Sequence, residues 1–353
     1  MTFADIIARA ASEFPGTSDV FVRAGRSPIV RVDGALRETE WEPLTERDVH
    51  AMCEPLLCDQ TRQTLEERRD VSVSFTVRDV GPVRVALFYE NCGRLSAVAR
   101  VLPRSCPSLE ELGLPSAVAE LTRVPNGLIL VTGPVGCGKT TTQWAMLEHT
   151  NRETFAHILS LQRPLSFVME EKRSLVTLRE IGTDAPSYAE AARAAFAGQD
   201  PDVVHIGELP DLETLSLALV LAETGHLVLS QMHTATAVET VERLVSVFPP
   251  HQQEHARRQL ASVLRAVVAQ QLVPRAEGKG RVPVIELMLV VPEIAKLIAE
   301  GRWDGIDAVI ERHAGEGGMQ TMMQALRDHV ERGTITQKAA AAVRSGAGAA
   351  WER

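Results

Sequence analysis

The sequence predicts an α/β protein, and three observations carry that prediction. From about Pro125, short apolar runs alternate with helical stretches, which is the grammar of a parallel sheet. One of these runs, Gly127-Leu-Ile-Leu-Val-Thr132, is apolar throughout, as a strand buried on both faces must be. It leads directly into a glycine-rich stretch ending in Gly138-Lys139-Thr140. Ahead of Pro125, shorter β-type runs mixed with helical spacing form a separate, smaller α+β unit. The 353 residues agree with two or three domains at about 150 residues each.

Taken in order, residues 3 to 13 place Phe3, Ile6, Ile7 and Ala10 at helical spacing. Two β-type runs follow, Asp19–Val22 and Pro28–Val32, the second ending at the turn dipeptide Asp33-Gly34. Thr45 with Asp48 forms a capping-box pattern, predicting a helix that runs to about Arg69. Strands are expected at Val71–Val77, Val83–Tyr89 and Leu95–Leu102, with the charged run Glu66–Asp70 as a solvated helix end. Pro103 and Pro107 mark a linker, and a helix is expected from near Ser108. Beyond Gly127–Thr132, apolar runs at Ala156–Leu161, Val203–Ile206 and His226–Met232 predict further core strands. Small helices are expected at Ile294–Glu300, Thr321–Arg332 and Thr336–Arg344, and a frayed Ala/Gly-rich tail after Ser345. These divisions give an N-terminal domain over 1–102, a linker and connecting helix over 103–124, a core over 125–290 and a helical C-terminal segment over 291–353.

Composition excludes several classes. The formal net charge is −9 and aromatics are 4%, which argues against a nucleic-acid binder, since that needs a basic face or stacking platforms. No apolar run approaches the ~20 residues of a membrane span. The first residues lack the basic start and apolar core of a secretory signal, so a cytoplasmic protein is expected. Five cysteines without a C-x-x-C pair read as free thiols, not a zinc site. Only five of the 37 basic residues are lysines, and the first is Lys139.

That lysine completes G-x-x-x-x-G-K-[ST] as Gly133-Pro134-Val135-Gly136-Cys137-Gly138-Lys139-Thr140, followed by Thr141. Each part has a chemical purpose. The glycines let backbone N–H groups curl round a β-phosphate, and the helix starting near Lys139 adds partial positive charge. Lys139 reaches the β- and γ-phosphates, and the Thr140 hydroxyl is a Mg²⁺ ligand. ATP and Mg²⁺ are the expected cofactors.

Matches spread over nearly the whole chain then resemble the type IV pilus retraction ATPases, the PilT-like branch of the secretion ATPases. They include Ser18-Asp19, Arg31-Val-Asp-Gly34, Glu111-Leu-Gly-Leu-Pro115, Arg173-Ser-Leu175 and Arg179-Glu-Ile-Gly182. They continue through Asp200-Pro-Asp-Val203 to Gly207-Glu208, Asp211-Leu-Glu-Thr214, Ala222-Glu-Thr-Gly-His-Leu227, His233-Thr234, Val247-Phe-Pro249, Gln270-Gln-Leu272 and Gly318-Met-Gln-Thr-Met322. The resemblance implies a PAS-like N-terminal domain, a RecA-like ATPase domain and a homohexameric ring with ATP between subunits. It also implies a partner, the inner-membrane platform protein of the pilus, and a place at the cytoplasmic side of that membrane without insertion into it. Assembly-type relatives carry extra N-terminal domains and often a four-cysteine zinc motif, and this chain has neither.

The resemblance also assigns roles. Glu208 polarises the attacking water, His226 and His233 sit in the active site and sense the γ-phosphate, and Arg84 and Arg100 act in trans. Asp33 reads as a hairpin residue more than a nucleotide contact.

The chain departs from the family at its acidic box, T-I-E-D-P-x-E-F, which here reads Ser160-Leu-Gln-Arg-Pro-Leu-Ser-Phe167. Gln162, Arg163 and Ser166 replace all three acids, which the resemblance implies hold Mg²⁺ and its waters. Two unit charges at ~4 Å and an effective dielectric of about 20 interact by about 4 kcal/mol, and a dication doubles that. Arg163 is therefore expected to turn away or to pair with phosphate oxygens. The family's Q-N-R-G is Glu90-Asn-Cys-Gly93, with Arg94 as a substitute for the arginine replaced by Cys92. Its A-I-R is Glu293-Ile-Ala295, and its M-R-D is Leu209-Pro210-Asp211.

The reading reached is an ATP-hydrolysing hexameric motor for pilus retraction and twitching motility. The alternative is a weakly active or inactive nucleotide-binding paralogue that joins or regulates an active motor in a mixed ring. A nucleic-acid-translocating motor is disfavoured by the acidic charge.

Overall fold

A computed structural model describes residues 2–32, 34–315 and 318–344. Asp33, expected in a hairpin, and the tail after Ser345 lie outside the described residues. The chain divides into two compact units. One holds Met1–Ser105 together with Arg163–Met169 and Gly182–Asp184, and the other holds the remainder.

The N-terminal unit contains α1 (Phe3–Glu13), β1 (Thr17–Arg23), β2 (Ile29–Val32), β3 (Ala35–Glu38), α2 (Glu46–Cys53), α3 (Asp59–Arg68), β4 (Asp70–Val77), β5 (Gly81–Glu90) and β6 (Arg94–Val101). Its six strands form one sheet in the order β3-β2-β1-β6-β5-β4. Alternate residues Val20, Val22, Val83, Val85, Leu87, Ala97 and Ala99 are buried against Phe3, Ile6, Ile7 and Val49 of the helices. This one-sided burial is what period-two strands give. Thr45 and Asp48 do form the capping box, but the single helix expected to Arg69 is two. Pro55 cannot continue the first, and a new helix starts after Cys58.

The second unit begins with α4 (Ser116–Leu121). No helix starts at Ser108; Ser108 and Glu111 exchange hydrogen bonds in a turn, and Gly113 at φ +70° followed by Pro115 delays the helix to Ser116. Then come β7 (Gly127–Thr132), α5 (Lys139–Glu153), β8 (His157–Gln162), β9 (Leu175–Glu180), α6 (Tyr188–Ala194), β10 (Val203–Ile206), α7 (Leu212–Glu223), β11 (Leu227–Met232), α8 (Ala237–Ser246), α9 (Gln253–Val263), β12 (Leu264–Pro274), β13 (Arg281–Leu289), α10 (Pro292–Glu300), α11 (Ile306–Arg312), α12 (Met322–Glu331) and α13 (Gln337–Arg344).

The seven strands are ordered β13-β12-β7-β11-β10-β8-β9. All neighbours run parallel except β12 and β13. The apolar runs at the centre are fully buried, as expected for strands covered on both faces. The fold is the mixed α/β class that the sequence predicts. The β12–β13 hairpin and α11 have no counterpart in the expected elements. α12 and α13 close a satellite core with the far end of that hairpin, through Val273, Val282, Val284, Leu326, Ile335 and Ala339. Among the described residues no helix is long and apolar enough to cross a membrane.

Candidate functional site

β7 lies between β12 and β11, so the chain leaves it at a point where connections diverge to either side, the usual place for a ligand crevice. The glycine-rich loop occupies that point. Gly133, Gly136 and Gly138 have φ of +140°, +78° and +93°, values that favour glycine. A Cβ on Gly133 would lie 2.3 Å from the Gln270 carbonyl oxygen and 2.6 Å from Cys137 Sγ. Gly138 is the N-cap of α5 and brings no side chain to its first turn. The free N–H groups there form a cradle for an anion. Pro134 and the exposed Val135 form the outer rim of the loop, while Cys137 is buried beneath it and its thiol is pushed up by that burial.

Lys139 is 5% exposed, and its Nζ donates to the carbonyls of Gly133 at 2.7 Å and Pro134 at 2.8 Å. Burial lowers its pKa, so an anion brought beside it relieves a real cost. Thr140 and Thr141 follow in the first turn of α5, Thr140 exposed and Thr141 half-buried.

One residue that sequence reasoning quoted without a role proves central to the loop. Gln270, on β12, is 3% exposed. Its Nε2 donates to the Cys137 carbonyl at 2.6 Å, and its Oε1 accepts from Thr142 Oγ1 at 2.7 Å. Its backbone abuts Gly133 and its amide abuts Gly138. Gln270 thus braces both ends of the loop and the helix behind it.

The C-terminal ends of β10 and β11 bring the other candidates to the same edge. Thr132 pairs with Met232, and Ile206 with Ser230. Neighbouring strands are about 4.8 Å apart, so the loop after Thr132, the loop after Met232 and the loop after Ile206 are adjacent. Gly207 packs tightly where it stands, since a Cβ there would meet the Leu161 carbonyl oxygen and the Tyr188 hydroxyl at 3.0 Å. Glu208 follows it, exposed. Glu208 and His233 line one cleft of about 510 Å³ with Asp211, Gln231, Glu239 and Arg243.

His226 does not join them. It precedes β11, at the opposite edge of the sheet from His233, with Nδ1 at 2.9 Å from the Leu221 carbonyl oxygen and its own carbonyl accepting from Gly127 N–H. Six residues of strand separate the two edges, about 20 Å at 3.3 Å per residue. Two histidines flanking one strand necessarily sit at its two ends.

At the altered acidic box, Gln162 is buried and its Nε2 donates to Ser160 Oγ at 3.1 Å. Ser160 Oγ lies 2.8 Å from Nδ1 of His205, a buried histidine whose pKa is lowered to about 4 by desolvation. Arg163 is exposed, and Ser166 Oγ donates to the Pro164 carbonyl at 3.1 Å. Among the described residues no group of three or more His, Cys, Asp or Glu could hold a metal ion. What the chain offers a cation at the loop is the Thr140 hydroxyl.

Arg84 and Arg100 lie side by side on the N-terminal sheet, paired across β5 and β6. Arg84 donates to the Leu165 carbonyl at 3.4 Å. Arg100 Nε donates to Asp19 Oδ1 at 2.7 Å, and Asp19 is buried. Cys92 stands in a left-handed turn at φ +64°, not on a strand, so alternation does not put Arg94 in its place; Arg94 pairs with Glu46 at 2.9 Å.

A model of the type II/IV secretion system proteins matches residues 4–342. The chain is 38% identical over 338 residues to the type IV pilus retraction ATPase PilT of Pseudomonas aeruginosa, covering 96% of both chains. It is 38% identical over 325 residues to a twitching motility protein of Neisseria gonorrhoeae, covering 92% of this chain and 86% of the relative. Among solved structures, the pilus retraction motor PilT with bound ADP superposes with a TM-score of 0.87 at 39% identity, over 96% of each chain.

Proposed function

The chain belongs to the type II/IV secretion system protein family, and on that footing we propose that it is an ATP-hydrolysing motor powering type IV pilus retraction. The observation that carries this reading is the meeting of the Lys139 loop, Glu208 and His233 at the C-terminal edge of three adjacent strands. In this reading the backbone N–H groups from Gly133 to Thr141 bind the nucleotide phosphates, and Lys139 exchanges its two loop carbonyls for phosphate oxygens. Glu208 orients and deprotonates the attacking water. His233 donates a hydrogen bond to the γ-phosphate from its cleft.

Thr140 would hold Mg²⁺ through its hydroxyl beside the bound nucleotide. That ion neutralises phosphate charge when bound. With Gln162 turned to Ser160, the box adds no carboxylate to it. Arg84 and Arg100 reach the nucleotide of a neighbouring copy in a hexameric ring, and are worth up to ~10³–10⁵ in rate in that role. The ring works at the cytoplasmic side of the membrane on the platform protein of the pilus.

The test is Mg²⁺-dependent ATP hydrolysis by the purified chain against a Lys139→Ala control. Turnover well above that control is expected, and equal rates would overturn the reading. Size and symmetry of the assembly, read by light scattering and electron microscopy, test the ring.

A further inference from the structure

Glu286, on β13, is 4% exposed and forms no ion pair among the described residues. Its charge is met by backbone. Oε1 accepts from the N–H of Ala237 at 2.6 Å, and Oε2 accepts from the N–H of Met322 at 3.2 Å. Ala237 is the first residue of α8, and Met322 is the first residue of α12. Two helices far apart in sequence therefore point their positive ends at one carboxylate, an arrangement that favours a buried anion.

What hangs on each helix gives the contact its meaning. α8 follows the loop that carries His233, and that loop is tied to it closely. Ala235 N–H donates to Glu239 at 2.8 Å, Thr236 Oγ1 accepts from Glu239 N–H at 3.1 Å, and the Thr234 and Thr240 hydroxyls lie 2.7 Å apart. α12 belongs to the satellite core of the C-terminal helices. Glu286 is the point where that core and the histidine loop share a fixture. Glu286 is also on the opposite face of the β12–β13 ribbon from Gln270, since it pairs with Ala269 and Gln270 pairs with Ile285.

We propose that Glu286 is a positioning residue that couples the first turn of α12 to the His233 loop, so that the C-terminal helices set the geometry of His233. This rests on the ATPase reading of the site. A small movement of α12 changes the carboxylate's second hydrogen bond, and the carboxylate in turn carries the first turn of α8. Burial raises the pKa of Glu286, and Asp307 adds to that rise; the two N–H donors act against it.

Two substitutions test the coupling. Glu286→Gln keeps the shape, but its amide can accept at only one end. Thr321→Ala loosens the first turn of α12 by removing its N-cap, 3.2 Å from Gln324 N–H. Each alone is expected to lower kcat about tenfold with little change in KM for ATP or in ADP affinity. Together they are expected to lower kcat no further than Glu286→Gln alone, since the second change acts through the first. Effects that multiply, or a Thr321→Ala chain with wild-type kcat, would overturn the proposal.

Hydrogen exchange over residues 233–240 gives a second arm that needs no turnover. Thr321→Ala should speed it when Glu286 is present and leave it unchanged in the Glu286→Gln background; speeding in both backgrounds counts against the coupling. A wild-type chain without ATPase activity would remove the functional reading, and the exchange arm would still decide the role of Glu286.

Discussion

Gln270 Nε2 donates to the carbonyl of Cys137 at 2.6 Å, joining β12 to the phosphate loop across 133 residues of sequence. Gln270→Leu leaves that buried carbonyl and the Thr142 hydroxyl without their partner. Each orphaned group costs about 1–3 kcal/mol. Part of that cost appears as a looser loop, so ADP affinity should fall by about tenfold or more, measured by calorimetric titration. Gln270→Glu should not rescue it, because a carboxylate cannot donate to Cys137.

The two histidines should separate cleanly. His233→Ala removes a group from the Glu208 cleft and should lower kcat by about 10²-fold. His226→Ala removes a hydrogen bond to Leu221 at the opposite edge. Its cost should be read in Tm, with turnover within about twofold of wild type. Steady-state kinetics on the two variants checks the assignment.

Arg100 is bound to Asp19 and is also proposed to serve a neighbour's nucleotide. Its bond to buried Asp19 predicts that Arg100→Ala destabilises the chain by about 1–2 kcal/mol, a reduced figure because Arg100 is half exposed and Arg31 stays 3.6 Å from Asp19. Adding Asp19→Asn removes the stranded charge and should restore Tm. If Arg100 serves a neighbour's nucleotide, turnover in the double variant stays low despite the recovered stability.

His205 predicts an acid limb. Its folded pKa is about 4, against 6.5 for an exposed histidine. Between those values the unfolded chain binds a proton that the folded chain refuses. Stability is therefore lost as pH falls from 6.5 to about 4, by up to about 3 kcal/mol. His205→Leu should remove most of the part of that loss, about 2 kcal/mol, that falls between pH 7 and pH 4.5 in urea unfolding.

The legible parts of this molecule were those written in short-range spacing. Gly133 to Thr140 announces its loop because the backbone needs those glycines and the phosphates need that lysine, all within eight residues. Thr45 with Asp48 marks a helix start for the same local reason. The β12–β13 hairpin was not legible. Leu264-Arg-Ala-Val-Val-Ala-Gln-Gln-Leu mixes good helix formers with β-branched residues, and pairing with β7 decides the outcome. Gln270 and Glu286 stayed hidden because most of their partners are backbone groups distant in sequence, which leave no mark in residue identity. The separation of His226 from His233 was not legible, because adjacency to a strand says nothing about which end of it a residue flanks.

The β12–β13 ribbon pairs over nine rungs from Ala266 with Leu289 to Pro274 with Arg281. Gln270 serves one face and Glu286 the other. A single inserted residue between Leu264 and Gln270 would turn every later side chain of the strand over, withdrawing the brace from the phosphate loop and shifting the helix fixture relative to it. The turn between the strands, with Gly278 and Gly280 both at positive φ, bears no such burden. Length variation among descendants of this chain should therefore collect at that turn and spare the strands, making the ribbon the ruler from which the moving parts of the motor are measured.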